Sequence, residues 1–213
     1  MTVPSKEPGR NCRLCPRLVE FRENNSETWP DWHNAPVPSF GDITAQLLVV
    51  GLAPGLKGAN RTGRPFTGDY AGDLLYPTLV HYGFAQGTYG CTSNDGLELI
   101  DSRITNAVRC VPPQNKPTGP EARTCLPFLT EEIGAMPNLK VILALGTLAH
   151  NAVLSALSQK RSAFKFGHNA VHRLDNGLTL TDSYHCSRYN TNTGKLTEAM
   201  FRDVFEGISA RLA

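Results

Sequence analysis

The sequence predicts an α/β protein in which helices cover both faces of a central, mostly parallel sheet of four strands. Short apolar runs alternate with longer segments of helical spacing. The 213 residues are 40% hydrophobic, which suffices for one sizeable core. We therefore expect a single domain over residues 1–213. Its first stretch, about residues 1–45, is rich in Pro, Asn and charged side chains, and we expect it to be an N-terminal extension wrapped on the core.

Four segments have the composition of buried strands. The first, at 46–54, is the apolar run QLLVVGLAP, which ends in Gly and Pro as strands of parallel sheets often do. The others lie at 102–110, at 139–146 and, as one strand, within 171–185. Because ligands of such sheets bind beyond the carboxyl ends of the strands, we expect the functional site at that edge.

Segments of helical spacing follow the four strands. Residues 71–83 predict a helix with an internal proline that can bend it, and residues 119–136 predict a helix that starts after Gly-Pro. A third helix is predicted at 147–159, and an amphipathic helix at 195–213 closes the chain. The alternation of strands with helices is what predicts the parallel sheet.

Four of the six cysteines form two pairs. Cys12 and Cys15 lie in a C-x-x-C turn, whereas Cys110 and Cys125 are separated by fourteen residues. Four thiolates can bind zinc or a [4Fe–4S] cluster if the fold brings both pairs together. Zinc ribbons usually have C-x-x-C on both sides, so this spacing favours the iron–sulfur cluster by about two to one. Zinc and four unrelated buried thiols remain the alternatives.

The N-terminus has no charged-then-apolar signal pattern, and no apolar run approaches the ~20 residues needed to cross a bilayer. We therefore expect a cytoplasmic protein with no membrane partner, and a monomer. The formal net charge is only +2, but residues 160–195 contain six Lys or Arg against two Asp. Such a basic surface suits phosphate contacts, and an ordinary solvated surface accounts for it equally well.

Distinctive side chains follow three of the predicted strands. Phe66 and Asp69 lie in the loop after the first strand, Asn106 lies in the second, and His185 ends the fourth. A ring, a carboxylate, an amide and an imidazole at one sheet edge predict a site for a planar, hydrogen-bonding ligand. Each residue also has a structural interpretation, since Asp69 could cap the next helix, Asn106 could satisfy a turn, and Phe66 and His185 could be buried in the core.

Several segments resemble the uracil-DNA glycosylase superfamily, and specifically its family 5 (type b) iron–sulfur members. The resemblance extends from Cys12 to the last helix and is carried by GLAPG, GANRTGRPFTGD, ITNAVRCVPPQNK and SYHCSRYNTNTGKLT. It implies a three-layer α/β/α sandwich and a [4Fe–4S] cluster on the four paired cysteines. It also implies hydrolytic excision of uracil and other deaminated bases, such as hypoxanthine and xanthine, from DNA.

The resemblance also assigns roles to individual residues. Asp69 would position or activate water, His185 would face the leaving base, Asn106 would read the base edge and Phe66 would stack on the flipped base. The base pocket would comprise Gly51, Leu52, Ala53, Gly55, Phe66 and Asn106. Contacts to DNA would come from Ser187, Arg188, Tyr189 and Asn190, a loop that enters the duplex, with Lys195 and the helix N-terminus at Thr147.

Three positions depart from related families. Ala53 stands where related families have an acidic or amide residue, which leaves Asp69 as the carboxylate near the scissile bond. Gly55 stands where family 5 often has alanine and strict uracil enzymes have tyrosine, so we expect a broad pocket that accepts purines, unless the glycine serves a tight turn. Cys186 replaces a common proline in the loop after His185.

Two other functions remain open. One is a non-catalytic nucleic-acid-binding module whose iron–sulfur or zinc site only organises a basic surface. The other is a relative that traps abasic DNA covalently, but the chain lacks a basic insertion before His185. No lysine stands in a motif position for a Schiff base, so we expect hydrolysis without strand cleavage.

Overall fold

The computed structural model describes residues 7–213 of the chain. In chain order, its strands are β1 (Leu47–Gly51), β2 (Ala85–Gln86), β3 (Glu98–Leu99), β4 (Ser102–Asn106), β5 (Val141–Leu145), β6 (Val171–Arg173) and β7 (Thr179–Ser183). The helices are α1 (Pro16–Thr28), α2 (Ala59–Thr62), α3 (Tyr70–His81), α4 (Gly119–Ala135), α5 (Thr147–Ala156), α6 (Arg188–Asn192) and α7 (Glu198–Leu212).

The main sheet has five strands in the order β4-β1-β5-β7-β6. Strands β4, β1, β5 and β7 run parallel, and β6 pairs antiparallel with β7 at the edge. The sheet thus contains the four predicted parallel strands and one further strand, β6, at its edge. The segment 171–185 forms a hairpin because Gly177, with a φ of +86°, reverses the chain after Asn176.

The alternation of side chains along each strand produces two cores. On one face, Leu47 and Val49 pack in a cluster with Leu75 of α3 and with Phe201 and Phe205 of α7. On the other face, Leu48 and Val50 belong to a cluster that includes Leu129 of α4 and Val153 of α5. Helices thus cover both faces, and the predicted three-layer α/β/α architecture is confirmed.

The predicted helices are all present with shifted ends. Pro77 lies inside α3, and α4 begins with a capping box in which Thr118 and Glu121 bond each other's backbone N–H groups. The described part of the N-terminal extension contains α1, a helix that the sequence interpretation did not predict. Among the described residues, no helix is both long and apolar enough to cross a membrane.

Main-chain hydrogen bonds fix the extension to the sheet, and a buried ion cluster joins α4 to β4 and the chain just after it. Val37 N–H donates to the carbonyl of Arg109, and Phe40 pairs with Ile104 beside β4. Glu132 of α4 is buried between Arg109 and Arg103, whose Nε lies 2.7 Å from Oε1. Burial opposes the charge of Glu132, but the two guanidinium groups hold its pKa below the ordinary value.

A second buried pair joins α5 to β7. The Asp182 carboxylate lies 2.8 Å from His150 Nδ1 and 3.1 Å from His172 Nε2, and His150 Nε2 lies 3.0 Å from the carbonyl oxygen of Phe164. Both ring nitrogens of His150 face acceptors, so both carry protons and the ring is charged. Burial disfavours this charge and is the largest single effect, but the hydrogen bond to Asp182, the negative charge of Asp182 and the hydrogen bond to Phe164 together outweigh it and raise the pKa of His150.

Replacing His150 with Gln should lower the free energy of unfolding by about 3 kcal/mol at about pH 6, since Asp182 loses its charged partner. A raised folded pKa means that this stabilisation is complete below the unfolded pKa of about 6.5 and is lost as pH rises through the folded pKa. The penalty should therefore be smaller at about pH 9 in denaturant titrations. The exposed His81→Gln variant is the control, and an equal penalty at both pH values would contradict the ion pair.

Candidate active site

The site begins where β1 ends, at Gly51. Gly51 is the register partner of Asn106, the last residue of β4. A Cβ atom on Gly51 would lie 2.4 Å from Asn106 Oδ1 and 2.5 Å from the Cζ atom of Phe66. The missing side chain therefore lets the amide and the aromatic ring approach the same point of the backbone. Asn106 and Phe66 are both buried, so the two groups form the closed end of a pocket.

His185 lies on the opposite side of this pocket, two residues beyond the end of β7. Its ring centroid is 6.0 Å from that of Phe66, with 27° between the ring planes. Its Nδ1 is buried and has no hydrogen-bond partner among the described residues. Burial lowers the pKa of His185 to about 4, so the imidazole is neutral at neutral pH. An uncharged ring with a free nitrogen can accept or donate a hydrogen bond to a ligand.

Asp69 combines a structural and a pocket-facing role. Its side chain caps α3 by accepting a hydrogen bond from Ala71 N–H at 3.1 Å, which confirms the capping interpretation. Its Oδ2 atom packs against two glycines, since a Cβ would lie 2.9 Å away on Gly55 and 2.3 Å away on Gly58. Burial raises the pKa of Asp69, and backbone hydrogen bonds from Gly72 and Ala71 offset part of that rise.

These side chains enclose one narrow cavity of about 240 Å³. It is lined by Ala53, Pro54, Gly55, Ala59, Phe66, Asp69, Ala71, Asn106 and His185. A wider cleft shares several of these residues and continues outward across the strand ends, where its walls include Leu52, Lys57, Tyr70, Asn115, Thr147, Ser187, Arg188 and Tyr189. The predicted pocket residues are thus together, with Leu52 in the cleft and Gly51 beneath the cavity.

Some of the predicted DNA-contacting residues line the cleft, and others lie away from it. Ser187 caps α6, so the expected loop from Ser187 to Asn190 is the first turn of a short helix. Arg188 lies over the ring of Tyr70 at 5.3 Å, and Tyr189 is 73% exposed at the cleft. Thr147 begins α5 beside them, as predicted.

Two of the predicted DNA-contacting residues, Asn190 and Lys195, do not line the cleft. Asn190 donates to the carbonyl of His185 at 2.8 Å and so holds the chain after β7 rather than facing the cleft. Lys195 lies with its Nζ 4.9 Å from the ring centroid of Tyr184 and does not line the cleft. Conversely, Lys57 and Asn115 line the cleft but were not predicted. Lys57 lies two residues after the GLAPG segment, and this closeness in sequence was the signal that could have indicated its place at the cleft.

Cys12, Cys15, Cys110 and Cys125 line a single cavity of about 340 Å³, so the fold brings both predicted pairs together. The main-chain N–H of Arg109 donates to Cys125 Sγ at 3.4 Å. Burial raises the pKa of Cys110 to about 12 and that of Cys15 to about 11, and the neighbouring thiols add to both. As free thiols these groups would resist ionisation, which a bound cation would reverse.

The spacing of the four sulfur atoms bears on which group they could hold. In the described part of the chain, one group of three His, Cys, Asp or Glu side chains has all its possible metal-ligating atoms within 4.8 Å of one another. It consists of His150, His172 and Asp182. The cysteines do not meet this condition. A single tetrahedral zinc, with Zn–S bonds of about 2.3 Å, needs sulfurs about 3.8 Å apart.

A three-layer α/β/α domain whose strand ends enclose a narrow pocket below an open cleft can bind a small planar group carried on a larger molecule. The sequence profile of the Uracil DNA glycosylase superfamily matches residues 38–208. The chain therefore belongs to this superfamily. The predicted resemblance to family 5 is confirmed, and so is the prediction of a DNA glycosylase, a hydrolase of N-glycosyl bonds.

Named relatives extend over nearly the whole chain. A Type-5 uracil-DNA glycosylase of Thermus thermophilus is 46% identical over 199 residues, which are 91% of this chain and 90% of that protein. A Type-5 uracil-DNA glycosylase of Pyrobaculum aerophilum is 41% identical over 207 residues, covering 94% and 88%. A Type-4 uracil-DNA glycosylase of the same organism is 32% identical over 152 residues, covering 71% and 63%.

The close contacts at Gly51 generate a prediction. Gly51→Ala should reduce base release by about 10²-fold, because the new methyl group must displace Asn106 or Phe66 by an ångström or so. The measurement is single-turnover base release at saturating enzyme. Gly134→Ala in α4, where a Cβ meets nothing within 4 Å, is the matched control. A folded Gly51→Ala enzyme with wild-type turnover would contradict the geometry.

Proposed function

We propose that this chain releases uracil from DNA by hydrolysing the N-glycosidic bond, and that it accepts other deaminated bases, including hypoxanthine and xanthine. The observation that carries the proposal is the convergence of Asp69, Asn106, Phe66 and His185 on one cavity at the strand ends. The names of its Type-5 relatives support uracil as a substrate. The acceptance of larger bases rests on Gly55, which leaves that part of the cavity without a side chain.

A base stacked in a duplex cannot enter a narrow cavity, so the nucleotide must rotate out of the helix. This rotation loses stacking and pairing energy, which enzymes of this kind recover by contacts to the base and by filling the gap. Glycosylases are a standard example of such base flipping. The ring of Phe66 would stack on the everted base, and the amide of Asn106 would hydrogen-bond its polar edge. The exposed Tyr189 would enter the space that the base leaves.

Cleavage of the glycosidic bond places positive charge on the sugar and negative charge on the leaving base. A carboxylate near the sugar and uncharged donors near the base therefore favour the transition state. Asp69 would supply the carboxylate and orient the attacking water. The neutral His185, with its unpartnered Nδ1, would face the departing base without adding a charge to the ground state.

The wide cleft would hold the DNA backbone. Arg188 and Lys57 bring positive charge to its walls, and α5 points its N-terminus there at Thr147, where free N–H groups favour phosphate. Lys195 lies outside the cleft, so any phosphate that it contacts would belong to DNA backbone beyond the cleft. Phosphate contacts of this kind position the duplex and leave base recognition to the pocket.

The four paired cysteines would hold a [4Fe–4S] cluster. Supporting this are the cavity that the four cysteines share and the N–H groups of Arg22 and Arg109, which are directed at Cys110 and Cys125. When bound, the cluster would link the turn before α1 to α4, through Cys125, and to the loop between β4 and α4, through Cys110. These residues would thereby hold Asn115 of that loop at the cleft.

Asp69→Asn should lower base release by about 10²-fold or more, since a positioned catalytic group is lost, while DNA affinity changes little. Ionised Asp69 is the active form, so wild-type release should fall as pH drops through its pKa, which lies above the ordinary 3.8, and the variant should lose this dependence. Oligonucleotides carrying uracil, hypoxanthine or xanthine, heated in alkali after incubation, give the measurement.

In that assay, Asp73→Asn, one turn further along α3, is the matched control and should behave as wild type. A wild-type enzyme that yields no alkali-labile product would favour the non-catalytic binding module. A heat-stable protein–DNA adduct would favour the covalent trapping activity. Retained activity in Asp69→Asn would reduce Asp69 to a helix cap.

Protein purified without oxygen should contain iron and sulfide at about four each per chain. Cys12→Ser should lose both, because three thiolates hold the cluster poorly, whereas the exposed Cys91→Ser should retain both. Metal analysis and the visible absorption spectrum provide the measurement. One zinc ion with no sulfide would contradict the cluster.

A substitution at Gly55 would not test base selectivity separately from catalysis. A side chain at this position would lie 2.9 Å from Asp69 Oδ2 at its Cβ alone, so Gly55→Tyr would displace the carboxylate as well as fill the pocket. Gly55 does begin a turn, in which the N–H of Gly58 donates to its carbonyl at 3.3 Å, but its φ lies outside the left-handed region, so the turn itself does not require glycine. Selectivity between bases is better tested at Ala53, which also lines the cavity.

A further inference from the structure

Phe66 has an unusual backbone conformation. Its φ is +52°, in the left-handed region that bulky side chains rarely adopt. Residues persist in such conformations only when the surrounding structure fixes them, and they concentrate at functional sites. Because the ring forms the closed end of the pocket, any relaxation of this backbone would move the ring away from Asn106 and Gly51.

Tyr89 fixes this backbone from outside the pocket. Its hydroxyl donates to the carbonyl oxygen of Phe66 at 3.2 Å and accepts from the N–H of Gly68 at 3.1 Å, so it bonds to the chain on both sides of Thr67. Burial raises the pKa of Tyr89, so the hydroxyl keeps its proton and can donate. Tyr89 does not line the cavity and follows Phe66 by 23 residues.

Helix α3 is built to allow this contact. A Cβ on Gly72 would lie 1.9 Å from the carbonyl oxygen of Phe66 and 2.3 Å from the hydroxyl oxygen of Tyr89. The helix backbone thus passes directly over this hydrogen bond. The ring of Tyr89 also stacks on Tyr76, with centroids 4.7 Å apart, and the Tyr76 hydroxyl donates to Pro65 at 2.6 Å.

The chain around Tyr89 is itself held in place. Asp95 binds the Arg64 guanidinium through both oxygens, at 2.8 and 2.7 Å, and accepts from Gly90 N–H at 2.9 Å. The Arg64–Asp95 ion pair therefore connects the segment just before Phe66 with Gly90, the residue after Tyr89. The guanidinium holds the pKa of Asp95 well below its usual range, so this link persists through the neutral range.

We propose that Tyr89 is a positioning residue whose hydroxyl holds Phe66 in its left-handed conformation, and thereby sets the face on which the everted base stacks. The inference deepens the proposed function and rests on it, since it presumes that Phe66 receives the base. Tyr89 acts through the Phe66 backbone and does not touch the reacting atoms. Its contribution is therefore to binding of the base and not to cleavage of the bond.

Tyr89→Phe keeps the ring, its stacking on Tyr76 and the packing below Gly72, and it removes only the two hydrogen bonds. We expect KM for a uracil-containing duplex to rise about tenfold, the scale of one or two lost hydrogen bonds, with kcat changed less than about threefold. Inhibition by free uracil should weaken by a similar factor. Tyr82→Phe, whose hydroxyl makes no hydrogen bond in the described part of the chain, is the matched control.

A double-mutant cycle with Phe66→Ala tests the path of the effect. If Tyr89 acts through the Phe66 ring, Tyr89→Phe should have no further effect on KM once that ring is absent. Additive effects would overturn the proposal, as would a Tyr89→Phe enzyme with lowered thermal stability but wild-type KM and uracil inhibition. If wild type and Phe66→Ala release uracil equally well, the proposed role of Phe66 fails instead, which is a distinguishable result.

Discussion

The pocket depends on a close approach of three groups at the end of β1. Phe66 and Asn106 both approach the backbone of Gly51 so closely that a side chain at this position would clash with them. Parallel pairing of β1 with β4 brings Asn106 level with Gly51, and the loop to α3 returns Phe66 over the same point. The pocket is therefore a consequence of strand register combined with one missing Cβ atom. Asp69, from the same loop after β1, and His185, which follows β7, complete the pocket, as expected for a site beyond the carboxyl edge of a parallel sheet.

The same strand end connects the pocket to the cysteine site. Beyond β4, Ala107 and Val108 donate to the carbonyls of Gly51 and Leu52, and Cys110 follows two residues later. The pocket and the cysteine cavity thus share one short length of chain. Anything that fixes Cys110 also limits movement of Asn106, because the intervening residues are hydrogen-bonded to the β1 loop. A cluster bound by the four cysteines would therefore lie away from the reacting atoms and would affect the enzyme through its stability.

Much of this was accessible from the sequence because the strands are apolar runs and the polar residues follow them directly. The four parallel strands, the long helices and the convergence of Asp69, Asn106, Phe66 and His185 were predicted on that basis. The edge strand β6 was missed because three half-exposed residues carry little hydrophobic pattern, and α1 because its buried face contains Arg22 and Asn25. Other features depend on contacts between distant segments. The conflict between a side chain at Gly55 and Asp69, the stacking of Lys195 on Tyr184 and the hydrogen bonds of Tyr89 have no local signature in the sequence.

The central claim is that the cavity at the strand ends receives a base rotated out of DNA. The most direct measurement is the crystal structure of the Asp69→Asn enzyme bound to a duplex with a single uracil, since slow cleavage preserves the substrate. The account predicts an extrahelical uracil, with its ring on Phe66, its polar edge at Asn106 and the backbone across the cleft beside Arg188. A uracil that remains stacked and paired in the bound duplex, or DNA bound on a different face of the protein, would contradict it.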